Sequence, residues 1–182
     1  MIKAIDIANF YVDLANSKDD YETNLKLNKL LYFAQGVSLA RTGKPLFDED
    51  IEAWQFGPVV PSVYHAFKVC GNKPIINPSN DYDLSELDEE QLQVIFDVAR
   101  TYGRFTGSAL VDFTHADGTP WKDVYVNGVH NIVIPKKTIK DHFLKKKNKS
   151  LFDDSLFTEI ESVGFRDEDG ILVLPKEYDD EQ

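Results

Sequence analysis

Cys70, Ser62, Ser108 and four histidines are the side chains with which this chain of 182 residues could assemble nucleophilic or acid–base chemistry. A hydrolase needs a nucleophile, a base to take its proton and an acid to orient the base. No candidate sits in a motif that supplies all three. Cys70 reads as a small apolar side chain closing a helix. No phosphate-cradling glycine loop, HExxH pair or Cys-x-x-Cys is present, and the ten glycines are spread over helix ends and turns. The sequence therefore reads as non-catalytic, with no cofactor or metal expected. The most specific polar cluster is FTHADGTPW, residues 113–121. There His115 falls at the end of one helix and Thr119-Pro120-Trp121 opens the next. A histidine so placed can tie helices together by bonding free carbonyls at a helix C-terminus. Partner contact, or proton transfer with Asp112 or Asp117, are the sharper alternatives.

The elements that must position this cluster follow from apolar spacing. Ile7, Phe10, Tyr11 and Leu14 form the stripe of a short first helix. In residues 23–42, Leu27, Leu30, Leu31, Ala34 and Val37 make one stripe and Leu25, Tyr32 and Leu39 a second. Thr23 or Asn24 can cap that helix, and Gly43 with Pro45 can end it. An apolar arc this wide predicts a central helix with neighbours on two sides. Val60, Val63, Tyr64 and Phe67 mark a third helix that ends near Cys70 and Gly71. Ser85 and Asp88 resemble a capping-box start for a fourth, carrying Leu92, Ile95, Phe96 and Ala99 and ending at Gly103. Thr106 can cap a fifth, Thr119 with Pro120 a sixth, and Pro135 opens a seventh with Ile139 and Phe143 facing in.

The stretch IEAWQFGPVVPSVY, residues 51–64, is the most unusual in composition. EAWQF reads as a short extended run with Trp54 and Phe56 on one side and Ala53, Gln55 and Gly57 on the other. Gly57 reads as an N-cap and Pro58 as a helix start. Trp54 is expected to pack against the central helix. It and Trp121 read as core anchors rather than exposed platforms.

One domain of ordinary size fits the length. The single cysteine rules out an intramolecular disulfide framework. The N-terminus lacks a signal peptide's apolar segment, and no stretch approaches a membrane span, so a cytoplasmic protein is expected. A net charge of −11 argues against broad nucleic-acid binding. One segment dissents: residues 135–149 hold seven lysines against Asp141, a local +6 that leaves the remainder at −17. It reads as a solvated helix face or as a docking patch for an acidic partner. Beyond it, residues 150–182 carry eleven acidic residues against Arg166 and Lys176. That tail reads either as a β-hairpin turning in DEDG, with 171–174 as its second strand, or as an amphipathic segment over LFTEIESVGF.

Taken together, NLKLNKLLYFAQG, GKPLF, IEAWQFGPVVPSVY and FTHADGTPW resemble the Panacea domain, a family of SocA-like, phage-associated antitoxin domains. The resemblance runs from about Ile5 to Phe143 and omits the tail. It implies a mostly helical domain that binds proteins and neutralises a toxin encoded beside it. It also implies, from a SocA-like member, delivery of the toxin to an ATP-dependent protease. The recurrent positions fall here on Lys29, Leu30, Leu31, Tyr32, Gln35, Gly36, Gly43, Pro45, Leu46, Trp54, Gly57, Pro58, Val59, Tyr64, His115 and Trp121. Members with an N-terminal DNA-binding segment are not matched, so direct DNA binding is not expected.

The expected fold is mainly α: a compact multi-helix domain over 1–148 with a central apolar helix and one short extended segment near Trp54. An acidic extension, 149–182, follows it. The expected function is that of a non-catalytic antitoxin. Its partner-binding residues are Tyr32, Gln35, Gln55, Phe56, Gly57, Pro58, Tyr64, His115 and Trp121, and its partners a cognate toxin and an ATP-dependent protease. The alternative is a small hydrolase or nucleotide-processing enzyme built on His115 and nearby acids.

Overall fold

The computed structural model describes residues 2–76, 78–79, 81–147, 165–166 and 172–173. Among them are seven helices: α1 (Ala4–Asn16), α2 (Asn24–Arg41), α3 (Pro61–Phe67), α4 (Glu89–Tyr102), α5 (Gly107–His115), α6 (Pro120–Val124) and α7 (Lys136–Lys147). The other elements among the described residues are a 3-10 turn, Lys68–Cys70, and two short antiparallel strand pairs, β1 (Glu52–Trp54) with β2 (Gly57–Val59) and β3 (Phe165–Arg166) with β4 (Leu172–Val173). The chain is mainly helical.

Helix starts follow local side-chain chemistry. Thr23, Thr106 and Thr119 each accept a hydrogen bond from the backbone N–H three residues on, satisfying a donor that the first helical turn leaves free. Asp88 and Gln91 form a reciprocal capping box at α4. Ser85, paired with Asp88 in the sequence reading, takes no part in that box.

In α2 only Leu25 and Arg41 lie outside the buried set, and the helix touches α1, α3, α4, α5, α7 and β2. It is buried all round without being apolar all round. Its apolar arc holds Leu27, Leu30, Leu31, Ala34 and Val37, while Lys26, Asn28, Lys29, Gln35 and Ser38 occupy the rest and are buried too. Each buried polar side chain is anchored to backbone elsewhere. Lys26 Nζ donates to Gly103 O (2.7 Å), Asn28 Oδ1 accepts from Val60 N (2.9 Å) and Lys29 Nζ donates to Pro58 O (3.0 Å). Gln35 accepts from Leu46 N (2.7 Å) and donates to Phe47 O (2.8 Å), and Ser38 Oγ donates to Lys44 O (3.0 Å). Apart from Pro58, which belongs to β2, these backbone groups lie outside the strand pairs, and a buried unpaired backbone group costs about 1–3 kcal/mol. The side chains of α2 replace the missing ladders.

The seventh helix crosses α2 at a glycine. A Cβ on Gly36 would lie within 2.6 Å of three atoms of the Phe143 ring, so only glycine lets α7 approach this closely. Phe143 then meets Tyr32 edge-on at 5.7 Å, while Phe33 stacks on Tyr102 of α4 at 4.1 Å. Ile139 and Phe143 face in, as their spacing predicts. Lys136 bonds Asp48 O (2.7 Å) and Lys137 and Lys145 face solvent.

Residues 51–64 depart from the sequence reading in two ways. First, Pro58 does not begin a helix. It lies within β2, and α3 begins at Pro61 with Val60 as its N-cap residue. Either proline satisfies the rule for a first helical turn, but Lys29 takes the Pro58 carbonyl into the core and holds that residue extended. Second, the EAWQF run is not one extended segment. β1 pairs with β2 in the register Glu52↔Val59, Ala53↔Pro58, Trp54↔Gly57, leaving Gln55 and Phe56 as a two-residue turn. In this hairpin it is Ala53 that faces the core, and Trp54 is half-buried on the outer face. The inner face of β1 holds the buried methyl group of Ala53 where the sequence reading put an indole.

In the tail, Phe165 and Arg166 pair with Val173 and Leu172, consistent with the hairpin reading. Its DEDG turn and the rest of the acidic extension lie outside the described residues.

Candidate functional site

The hairpin is held from three directions. From below, the fully buried Lys29 amine donates to Pro58 O, and burial pushes its pKa down to about 7. Gly57 makes room for it. At φ +100° this residue occupies a region that L side chains avoid, and a Cβ would lie 2.7 Å from both Lys29 Cε and Thr114 Oγ1. From the α5–α6 side, Trp121 Nε1 donates to Trp54 O at 2.8 Å. From the far edge, Ala53 N donates to Ile132 O and Ile134 N to Ile51 O, both at 2.8 Å, so residues 132–134 lie beside β1.

FTHADGTPW builds the Trp121 support. Thr119 caps α6 and its hydroxyl also donates to Thr114 O at 2.6 Å, closing the α5–α6 corner. His115 stacks flat on Trp121 at 3.7 Å with an interplanar angle of 3°, and Tyr125 lies against the same indole at 4.4 Å. His115 Nε2 and Asp112 Oδ2 are both buried without a hydrogen-bond partner. Burial, then the charges of Lys29 and Lys122, lower the His115 pKa to about 4, while burial raises the Asp112 carboxyl. The acid–base pair that proton transfer requires is not assembled at these atoms, and Asp117 is exposed. Among the described residues no cluster of three or more His, Cys, Asp or Glu side chains could hold a metal ion.

The residues singled out from sequence thus separate by depth. Tyr32, Gln35, Gly57, Pro58 and Trp121 are buried, and Gln35 uses both its amide oxygen and nitrogen on the 46–47 backbone. Gln55, Phe56, Tyr64 and His115 are half-buried and reach the surface. Tyr64 belongs to a second aromatic group that the sequence reading left incomplete: its ring meets Trp54 at 4.7 Å and His65 at 5.4 Å. These rings and Lys68 form one wall of a cavity of about 200 Å³, with Val129 and His130 opposite. The short β-rich run NIVIP, ending the loop that supplies that second wall, was the sequence signal for an added strand.

This arrangement, a helical body with a clamped hairpin raised on it, coincides with a known family. The chain belongs to the Antitoxin SocA-like, Panacea domain family, whose model matches residues 27–122 and so contains the α2 clamps from Asn28 onward, the hairpin, and the His115–Trp121 stack. It is similar to Antitoxin SocA of Caulobacter vibrioides (strain NA1000 / CB15N), with 41% identity over 155 residues that cover 78% of this chain and 82% of the relative. No solved structure matches the chain.

Proposed function

We propose that the chain is a non-catalytic antitoxin of the cytoplasm that neutralises a cognate toxin by binding it directly. Gln55, Phe56, Tyr64 and His115 form the contact surface in this reading. Tyr32, Gln35, Gly57, Pro58 and Trp121 act on the partner only by holding that surface in place. The observation that carries it is the hairpin turn: Gln55 and Phe56 are partly open to solvent, whereas the base beneath them is tied by Lys29, Trp121 and residues 132–134. A turn held this firmly loses little conformational entropy when a partner closes over it. The family assignment and the antitoxin relative support the same direction. The finer form, in which the bound toxin is handed to an ATP-dependent protease, rests on the resemblance to SocA-like members.

Co-expression with the product of the neighbouring gene tests the reading. Relief of growth arrest and copurification are expected, and both should be lost in a Gln55→Ala, Phe56→Ala double variant of unchanged melting temperature. Absence of rescue by the unaltered chain would overturn it. The toxin's half-life with and without the chain, in cells lacking each ATP-dependent protease in turn, tests the finer form.

A further inference from the structure

Residues 132–134 sit at the outer edge of the hairpin sheet. Their bonds to β1 come from Ile132 O and Ile134 N, which makes Glu52↔Val133 a pair whose backbone groups point away from each other. The N–H and C=O of Val133 therefore face outward, and the residue is 42% exposed. An open edge of this kind is a template for another extended chain.

The cavity described above lies beside that edge. Trp54, Tyr64 and His65 give it aromatic walls, Lys68 and His130 give it basic groups, and none of its lining residues is acidic. That is unusual in a chain of net charge −11. Val129, 49% exposed, forms an apolar lip on the side toward Val133. His65, Lys68 and His130 are exposed around the half-buried rings of Trp54 and Tyr64, and the one carboxylate that reaches them, Glu52, is engaged by Trp54 Nε1 at 2.8 Å. Such a rim complements an anionic side chain whose stem is apolar.

We propose that an extended segment of the toxin adds to the sheet edge at Val133 and sets a glutamate or aspartate into the cavity between Trp54, Tyr64, His65, Lys68 and His130. This rests on the antitoxin reading and names where, and through what chemistry, the partner is held. The short edge, closed on one side by Pro135, which has no N–H to offer, limits pairing to a few backbone bonds. The acidic side chain then supplies register, since a slip by one residue would turn it away from the cavity.

The test uses the full chain and the neighbouring-gene toxin whose growth arrest it relieves. A Lys68→Glu, His130→Glu variant places two negative charges at these two exposed positions. It should keep its melting temperature and lose at least about tenfold in affinity for that toxin, in line with the coupling typical of interfacial charge pairs. In parallel, amide exchange at Val133 should slow at least about tenfold in the complex. Affinity within threefold of the unaltered chain, or an unprotected Val133 amide, overturns the inference while leaving the antitoxin reading intact. Failure of the unaltered chain to bind or rescue removes that reading instead.

Discussion

Lys29 Nζ donates to the carbonyl oxygen of Pro58 at 3.0 Å from the middle of the most enclosed helix of the fold. No carboxylate accompanies that bond, so the amine meets a carbonyl dipole and little else. Desolvation accordingly lowers its pKa from 10.5 to about 7. Between these values the unfolded chain binds more protons than the folded one, and stability rises with pH. Lys29→Met removes the slope. From pH 7 to 10 the unaltered chain should gain on the order of 3 kcal/mol relative to the Met variant. Urea unfolding of both proteins across that range checks it, and parallel curves would place the amine in a more polar setting.

Gly57 is constrained twice, by its φ of +100° and by the 2.7 Å that a Cβ would leave to Lys29 Cε and to Thr114 Oγ1. Gly57→Ala should therefore destabilise by about 2–4 kcal/mol, the sum of backbone strain and displacement of a packed side chain. Combining it with Lys29→Ala should cost less than the two single changes added, because the shorter side chain makes room. Additivity within about 0.5 kcal/mol would place the cost in backbone strain and the Thr114 contact rather than in Lys29.

At Gly36 the backbone is helical, so only space is at issue. Alanine is the better helix former by about 0.5–1 kcal/mol, yet its Cβ would overlap the Phe143 ring. Overpacking should dominate and Gly36→Ala should lose about 1–3 kcal/mol in thermal or chemical unfolding. Phe143→Leu should recover part of the loss in that background while destabilising the unaltered chain.

How much of this was legible in the sequence depends on the range of each interaction. The caps at Thr23, Thr106 and Thr119 bond three residues away and could be read directly. So could the inward faces of Ile139 and Phe143. The clamps of α2 join residues 6 to 77 positions apart, as in Ser38 with Lys44 and Lys26 with Gly103, and no periodicity announces them. Without them Lys29 and Gln35 read only as letters of a family pattern. The same blindness misplaced Trp54. Alternation along a strand identifies two faces, but which one is inner depends on what lies beneath, and here the inner face is that of Ala53. Trp54→Ala should consequently cost less than the roughly 3–5 kcal/mol of an emptied aromatic core site. Pro58 and Pro61 were equally good helix starts by local rules, and a single long-range bond decides between them.

His115 offers a pH signature that separates it from every other group in the site. Its ring lies flat on Trp121, with Nε2 buried and unpartnered, and the charges of Lys29 and Lys122 act on it from two sides. Burial, then those two charges, lower its pKa from 6.5 to about 4. Because the folded value lies below the unfolded one, the stabilising contribution is complete above about pH 6.5, declines as pH falls through that window and is lost by about pH 4. Asp112, whose carboxyl is raised by burial, contributes with the opposite sign, so the slope of the intact chain alone is not diagnostic. The difference between the intact chain and His115→Gln cancels the Asp112 contribution to first order. The intact chain should lose melting temperature relative to the Gln variant between pH 6.5 and 4, and the two should run parallel from pH 7 to 8. A constant offset across the whole range would mean that the imidazole is solvated in the folded state and does not sense burial against Trp121.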